Sequence, residues 1–423
     1  MIETIRNAWR IPDLRKKILF TVFVLAVYRF GSQVHVPFVN IEMFTSYFND
    51  QIGSGNILGM FNMMSGGSFS QSTIFALSIQ PYINASIIMN LLTVGIPALE
   101  RLQKEGGEEG KKKIAAITRY ATVGLGLLMG FGYYTLLGQA NALSETGVFQ
   151  AIVIILTFTA GSAFIMWLGE QITEFGIGNG ISIILFASIV SRGPDLVNSA
   201  VGLMRNGQWY LLLIILALML AAVVFVVFIT NAERRIPITY AKRMVGRRMY
   251  GGQSTYLPLK VNMSGVMPII FAQSIASFPV TIAAFIPAIK AWVEEWLGIG
   301  STIYAVLYLI LIIAFSYFYQ SIQFNPVEIA NNLKQNGGVI QGFRPGKATS
   351  DFIRKVLNKI TLFGALFLGI IAIMPIIMSS FSDTLQGLAL GGTSLLIVVG
   401  VALETVKAIE AQMIMRHHKG FLE

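Results

Sequence analysis

The 423-residue chain contains no cysteine, so disulfides, thiolate metal sites and cysteine nucleophiles are excluded, and redox chemistry reports no compartment. Histidine is scarce: His35, His417 and His418 all lie outside the apolar runs. Charge is scarce too, at 12% of the residues, about half the usual share of a soluble protein. The sequence also lacks HExxH, GxSxG, paired aspartates within an apolar run and any P-loop. A membrane hydrolase would have no machinery here, and the chain has no ATPase of its own. The charges in or near the apolar runs (Arg29, Glu170, Glu174, Glu404 and Lys407) all fall toward run ends. Ion-coupled transporters usually keep a charge near mid-membrane, and selective ion channels favour charged rings or carbonyl filters. What these absences leave is a pore whose narrowest lining is aliphatic.

What is present is apolar surface. The length would suit two or three soluble domains, but a hydrophobic share of 54% excludes them and gives a polytopic membrane protein. Ten runs lie near 17–38, 72–97, 114–138, 149–170, 178–200, 209–232, 262–287, 302–324, 359–379 and 388–408. Each is close to the ~20 residues that cross a hydrocarbon core. The first, "RKKILFTVFVLAVYRFGSQVHV", begins like a secretory signal, but no small-x-small cleavage site follows and Arg29 interrupts its exit, so it reads as a retained span. Residues 1–14 pattern as an amphipathic helix on the membrane surface.

The net charge of +10 first reports topology. All but four of the 31 basic residues (the exceptions are Arg29, Arg192, Arg205 and Lys290) fall on one side of this span order. The positive-inside rule then puts both termini in the cytoplasm. Five spans per half start the second half from the opposite face, which permits an inverted repeat of 1–200 and 201–423 without any residue-level similarity to demonstrate it. Gly126 and Gly130 have the small-xxx-small spacing that lets helices pack closely.

Several polar or irregular stretches break the apolar pattern. Residues 31–72 carry no Lys or Arg and so are external, yet "NILGMFNMMSGGS" (56–68) predicts a short apolar helix ending at Gly66–Gly67. It is too short to span. Either it rests on the outer surface or it folds back between the spans, hinged at the glycine pair. In "IQPYINASIIMNLL" (79–92), Pro81 disturbs a helix start, Gln80 and Asn84 share a face, and Ile79, Ile83 and Ile87 form the adjacent stripe. Amides facing lipid are expensive, so that face meets other helices or water. "GIGNGISIIL" (176–185) and "NMSGVMPIIFAQS" (262–274) repeat the habit, which favours a cavity over simple packing. Finally, the internal loops 233–261 and 325–358 are large and basic, suited to an RNA surface or an acidic protein face, though solvated orientation signals would look the same. A secondary solute transporter with broken helices is the alternative reading of the whole pattern, and a membrane-embedded enzyme a weaker one.

At these residues the chain resembles the SecY family, central subunits of the bacterial protein-conducting channel. The likeness covers essentially the full length and is carried by "MFNMMSGGSFSQSTIFALSIQPYINASI", "ERLQKEGGEEGKKKI", "GIGNGISI", "RRIPITYAKR", "QSTYLPLKVNMSGVMP", "NPVEIANNLKQNGG", "GFRPGKAT" and "GGTSLLIVV". The resemblance implies an all-α polytopic fold: ten transmembrane helices in two five-helix halves of inverted topology, 1–200 and 201–423, with a short re-entrant plug at about 57–67. It implies a pore ring of Ile79, Ile83, Ile181, Leu185, Ile270 and Ile397, Leu185 standing where isoleucine is commoner. A flexible aliphatic collar closes around chains of varying width and dewets when empty. The plug would comprise Ile57, Leu58, Met60, Phe61, Met63, Met64, Gly66 and Gly67. The lateral gate would run between the second and seventh spans at Asn84, Ser274 and Phe278, with Asn84 where the family often has serine. Arg247, Arg248, Arg344 and Lys347 are the candidates for partner docking. The implied partners are a SecE-type clamp subunit, a smaller SecG-type subunit, the SecA ATPase, the ribosome, signal sequences of preproteins and membrane lipids. The implied location is the bacterial cytoplasmic membrane. No catalytic residue, cofactor or metal ligand is expected.

Overall fold

The structure, a computed structural model, describes residues 2–52, 57–205, 207, 209–240, 243–245, 248–250, 254–263, 265–285, 292–293, 295–298, 301–379 and 391–417. Each of the ten apolar runs forms or contains a helix. An amphipathic α1 (Ile2–Arg10) leads into α2 (Pro12–Gly31), after which the backbone turns extended and bridges His35 to Thr73. Next come α3 (Ile41–Ile52) and α4 (Ile57–Met64), then turns that occupy 65–79. The helix in the second apolar run thus begins at Gln80 rather than near 72: α5 (Gln80–Gly95) starts where Pro81, lacking an N–H, costs no internal hydrogen bond. At Ile96 the chain bends by 104° into α6 (Pro97–Lys104).

The long helices α7 (Gly107–Gln139) and α8 (Val148–Phe175) pack on each other. A Cβ at Gly126 or Gly130 would come within 3.2 Å of α8 atoms, so the paired glycines set the closeness of that contact. The fifth run divides into α9 (Gly180–Val190) and α10 (Gly193–Arg205), followed by α11 (Trp209–Asn231). At a rise of ~1.5 Å per residue α9 alone is too short to cross a bilayer. The second half continues with α12 (Met267–Phe285), α13 (Thr302–Gln323), α14 (Pro326–Gln335), α15 (Lys347–Ser379) and α16 (Gly391–His417). Among the described residues five helices are long and apolar enough to cross a membrane, or six if α5 and α6 count as one bent span.

The fold is mostly helical, not all-α. In the 233–261 loop, β1 (Glu233–Tyr240), β2 (Arg243–Val245), β3 (Arg248–Tyr250) and β4 (Ser254–Lys260) form strands, and β5 (Gly338–Ile340) joins them from the other basic loop. The larger sheet has the order β4-β1-β5, antiparallel throughout, and β2 pairs with β3. The cause is a period of two: Ile236, Ile238 and Leu259 point inward and pack with Leu333, Ile340, Ile353 and Leu357 into a separate core. On the outer face the Arg235 guanidinium sits 4.8 Å from the Tyr256 ring centre. A hydrogen bond to Glu233 at 2.6 Å pushes the Arg235 pKa further up.

Candidate functional site

The main apolar core draws on both halves of the chain. Ile79, Ile83, Leu185, Ile270 and Ile397 are each at most 2% exposed and belong to one cluster, with half-buried Ile181 packed against it. They arrive from four helices, each near its start. Ile79 caps α5 and Ile83 lies one turn in; Ile270 is in the first turn of α12 and Ile397 in the second of α16. On α9 the spacing of four between Ile181 and Leu185 puts both on one face. That helix is fixed by its cap: Asn179 Oδ1 accepts from the Ile181 and Ser182 amides at 3.0 and 3.4 Å. It also crowds α8, since a Cβ on Gly180 would meet the Gly169 carbonyl oxygen at 1.9 Å.

The short helix α4 is folded in among the long ones. It lies against α9, Met64 is buried in the same cluster as the isoleucines, Met63 is buried, and Phe61 stacks on Phe69 with ring centres 6.2 Å apart. Leu58 is half-buried against the aromatic cluster of Phe44, Phe69 and Tyr133; Ile57 and Met60 complete the helix. Gly66 and Gly67 turn the chain with φ of +66° and +89°, conformations that side chains resist.

Polar atoms line one flank. On α12, beside Ile270, Ser274 and Gln273 are buried, and the Ser274 hydroxyl and Gln273 Oε1 have no hydrogen-bond partner among the described residues. On α13 the Tyr308 hydroxyl and Gln320 Oε1 share that condition. Buried polar atoms are normally satisfied, so these suit contact with water or a guest chain. Helices α5 and α12 touch, with Asn84 half-buried, Ser274 buried one turn before Phe278, and Phe278 exposed.

The docking candidates separate. Arg247 lies outside the described residues, and Arg248 opens β3. Arg344 and Lys347 are exposed, on a turn that uses Gly346 at φ +104° and is closed by Thr349 Oγ1 donating to the Arg344 carbonyl at 2.9 Å.

Several contacts have no sequence forecast. Glu404 on α16 accepts from the Val266 amide at the start of α12, while Lys407 Nζ donates to the Thr230 carbonyl at 3.3 Å, at the end of α11. Each charge thus meets the helix terminus of opposite polarity. The available signal was that these are the only two charges in 391–409. A buried hydroxyl pair, Tyr28 to Ser188 at 2.7 Å, was equally unforeseen.

The family model described as SecY matches residues 73–406. Proteins named "Protein translocase subunit SecY" from Streptomyces galbus and Halalkalibacterium halodurans are each 44% identical, with 100% of both chains covered. The solved structure called "The structure of a protein conducting channel" matches with a TM-score of 0.65 at 18% identity, over 95% of this chain and 93% of that one. A structure of "Sec61 in the Canine ribosome-channel complex from the endoplasmic reticulum" matches with a TM-score of 0.61 at 17% identity, over 95% and 93% of the two chains. At those identities the structures speak for the fold alone, whereas the family model and the full-length relatives speak for descent: the chain belongs to the SecY family.

Proposed function

We propose that the chain is the channel-forming subunit of a protein translocase, passing unfolded polypeptides across a membrane and releasing apolar segments sideways into lipid. The observation that carries this reading is the convergence of aliphatic side chains from four helix starts on one buried cluster that also holds Met64 of α4. A dry aliphatic collar excludes ions when empty and adapts to many guests when occupied, because it makes no directional bonds. Ile79, Ile83, Ile181, Leu185, Ile270 and Ile397 are the ring in this proposal, and residues 57–67 the plug. The contact of α5 with α12 is the lateral gate, where Ser274 and Gln273 face an opening path and Phe278 faces lipid. The relatives' shared name supports the activity.

The finer architecture belongs to the same proposal. Ten spans form inverted halves, 1–200 and 201–423, in a bacterial cytoplasmic membrane, with both termini and the basic loops cytoplasmic. Arg248, Arg344 and Lys347 would meet a SecA-type motor or the ribosome, and SecE- and SecG-type subunits would brace the bundle. With no P-loop, energy must come from a partner. The test is reconstitution with SecE- and SecA-type partners and assay of ATP-dependent uptake of a preprotein into vesicles. Uptake is the expected result, and its absence from a folded complex would remove the reading.

A further inference from the structure

The end of α4 is held by a set of buried hydroxyls from three parts of the chain. Ser78 Oγ donates to the Met64 carbonyl at 3.3 Å, and Gln80 Nε2 approaches Met64 Sδ at 3.1 Å. Separately, the Tyr28 hydroxyl lies 2.7 Å from Ser188 Oγ on α9. Ser188 passes its own proton to the Ile184 carbonyl at 2.9 Å, which leaves Tyr28 as the donor between them. The Ser188 carbonyl takes a bond from Ser191 Oγ and stands against Gly66, where a Cβ would lie 2.9 Å from it. Tyr28, Ser78 and Ser188 are each at most 2% exposed, and Ser78 is held at φ +51°, a conformation costly for a residue other than glycine. A buried network of this kind is stiff while complete and weak once one member is lost.

We propose that Tyr28, Ser188 and Ser78 form a latch that sets how readily the 57–67 segment leaves the channel, and therefore how strict the channel is toward incoming signal segments. This rests on the reading of that segment as a plug. The latch has a fixed side and a moving side. Tyr28 and Ser188 tie α2 to α9 and present the surface that receives Gly66. Ser78 and Gln80 stand at the start of α5, the helix assigned to the lateral gate. When α5 shifts to admit a segment, it carries Ser78 and Gln80 away from Met64, so gate opening and plug release become one event. Tyr28 acts through Ser188, whose carbonyl stands against Gly66, as a positioning residue.

The chain has no cysteine, so Met63→Cys supplies a single thiol on α4. Its labelling by a membrane-impermeant maleimide is followed in the complete reconstituted complex, at rest and with an engaged preprotein. Labelling should be slow at rest and rise on engagement. Adding Tyr28→Phe, which keeps the ring stacked on Phe75 at 5.6 Å, should raise the resting rate roughly fivefold, as should Ser188→Ala. The double variant should match either single, because both remove one bond. Ser162→Ala, a buried hydroxyl bonded within α8, should leave the rate unchanged. If engagement never changes labelling of the parent, the plug reading fails and the latch with it. If engagement raises labelling but both latch variants rest at the parent's rate, the latch fails and the plug stands. A rise equal to theirs in Ser162→Ala would mean general loosening and also overturn the latch.

Discussion

At the scale of the residue, the proposed ring would need little chemistry to act as a seal. Ile83 and Ile270 are 2% and 1% exposed and belong to the apolar cluster, so in the proposed ring their contribution is exclusion of water. Replacing either with asparagine removes aliphatic contact and inserts an amide without a partner, a change of roughly 1–3 kcal/mol against the closed state. At 1.4 kcal/mol per tenfold, the resting ion leak should rise on the order of tenfold, and clients with defective signal sequences should pass more readily. Single-channel recordings and a secretion assay check both; an unchanged leak in both variants would take these side chains out of the ring. The sequence made such residues visible only in part. The stripe of Ile79, Ile83 and Ile87 could be read from spacing, but which residues of α9, α12 and α16 meet it depends on how distant helices dock, which no local pattern encodes. Tyr28 and Ser188 were illegible for a related reason: a hydroxyl in an apolar helix usually bonds back to its own turn, and nothing in "VYRFG" or "FASIVS" declares a partner on another helix.

At the scale of the element, helices were legible and their ends less so. The apolar runs mark α11 and α13 almost to the residue, because lipid and packing reward the same property along the whole run, whereas α7 begins earlier and α8 ends later than their runs, on more polar residues. Residues 72–79 mislead, being apolar yet held in turns by α4 and the His35–Thr73 bridge. The strands β1 and β4 are less legible: "RRIPITY" and "STYLPLK" alternate only briefly among basic residues, and the core of Ile236, Ile238 and Leu259 is completed by Leu333, Ile353 and Leu357 from distant helices. Glycines separate by what they touch. Gly180 abuts the α8 backbone, which cannot yield as a flexible side chain can, so Gly180→Val should force α9 away and cost roughly 1–3 kcal/mol. Among the described residues nothing lies within 4 Å of where a Cβ at Gly202 in α10 would stand, and Gly202→Ala should stabilise by about 0.5–1 kcal/mol. Thermal unfolding of the purified complex should therefore shift down for the first and slightly up for the second. Equal shifts would contradict the assignment of Gly180 to close packing.

At the scale of the whole molecule, an apolar bundle is joined to a small polar-faced unit in which β1, β4 and β5 pack on α14 and the start of α15. Because α15 runs from Lys347 to Ser379 as one helix, a load on the basic unit is transmitted directly into the bundle. Arg344 stands at the exposed turn just before that helix, with its backbone fixed by Thr349 and its side chain free of any described ion pair. A guanidinium so presented can grip a carboxylate or phosphate through two parallel bonds, which the point charge of lysine reproduces poorly. The competing account makes Arg344 one more topology-setting charge among the loop's Lys334, Lys347, Arg354, Lys355 and Lys359. The two diverge under substitution. If orientation is its whole role, Arg344→Lys and Arg344→Ala should both be tolerated, since those neighbours remain. If it docks the motor, Arg344→Ala should lose most SecA-driven preprotein uptake, lysine should restore only a fraction, and insertion, complex assembly and resting ion leak should match the parent. Full motor-driven uptake by the alanine variant would defeat the docking role while leaving the channel intact.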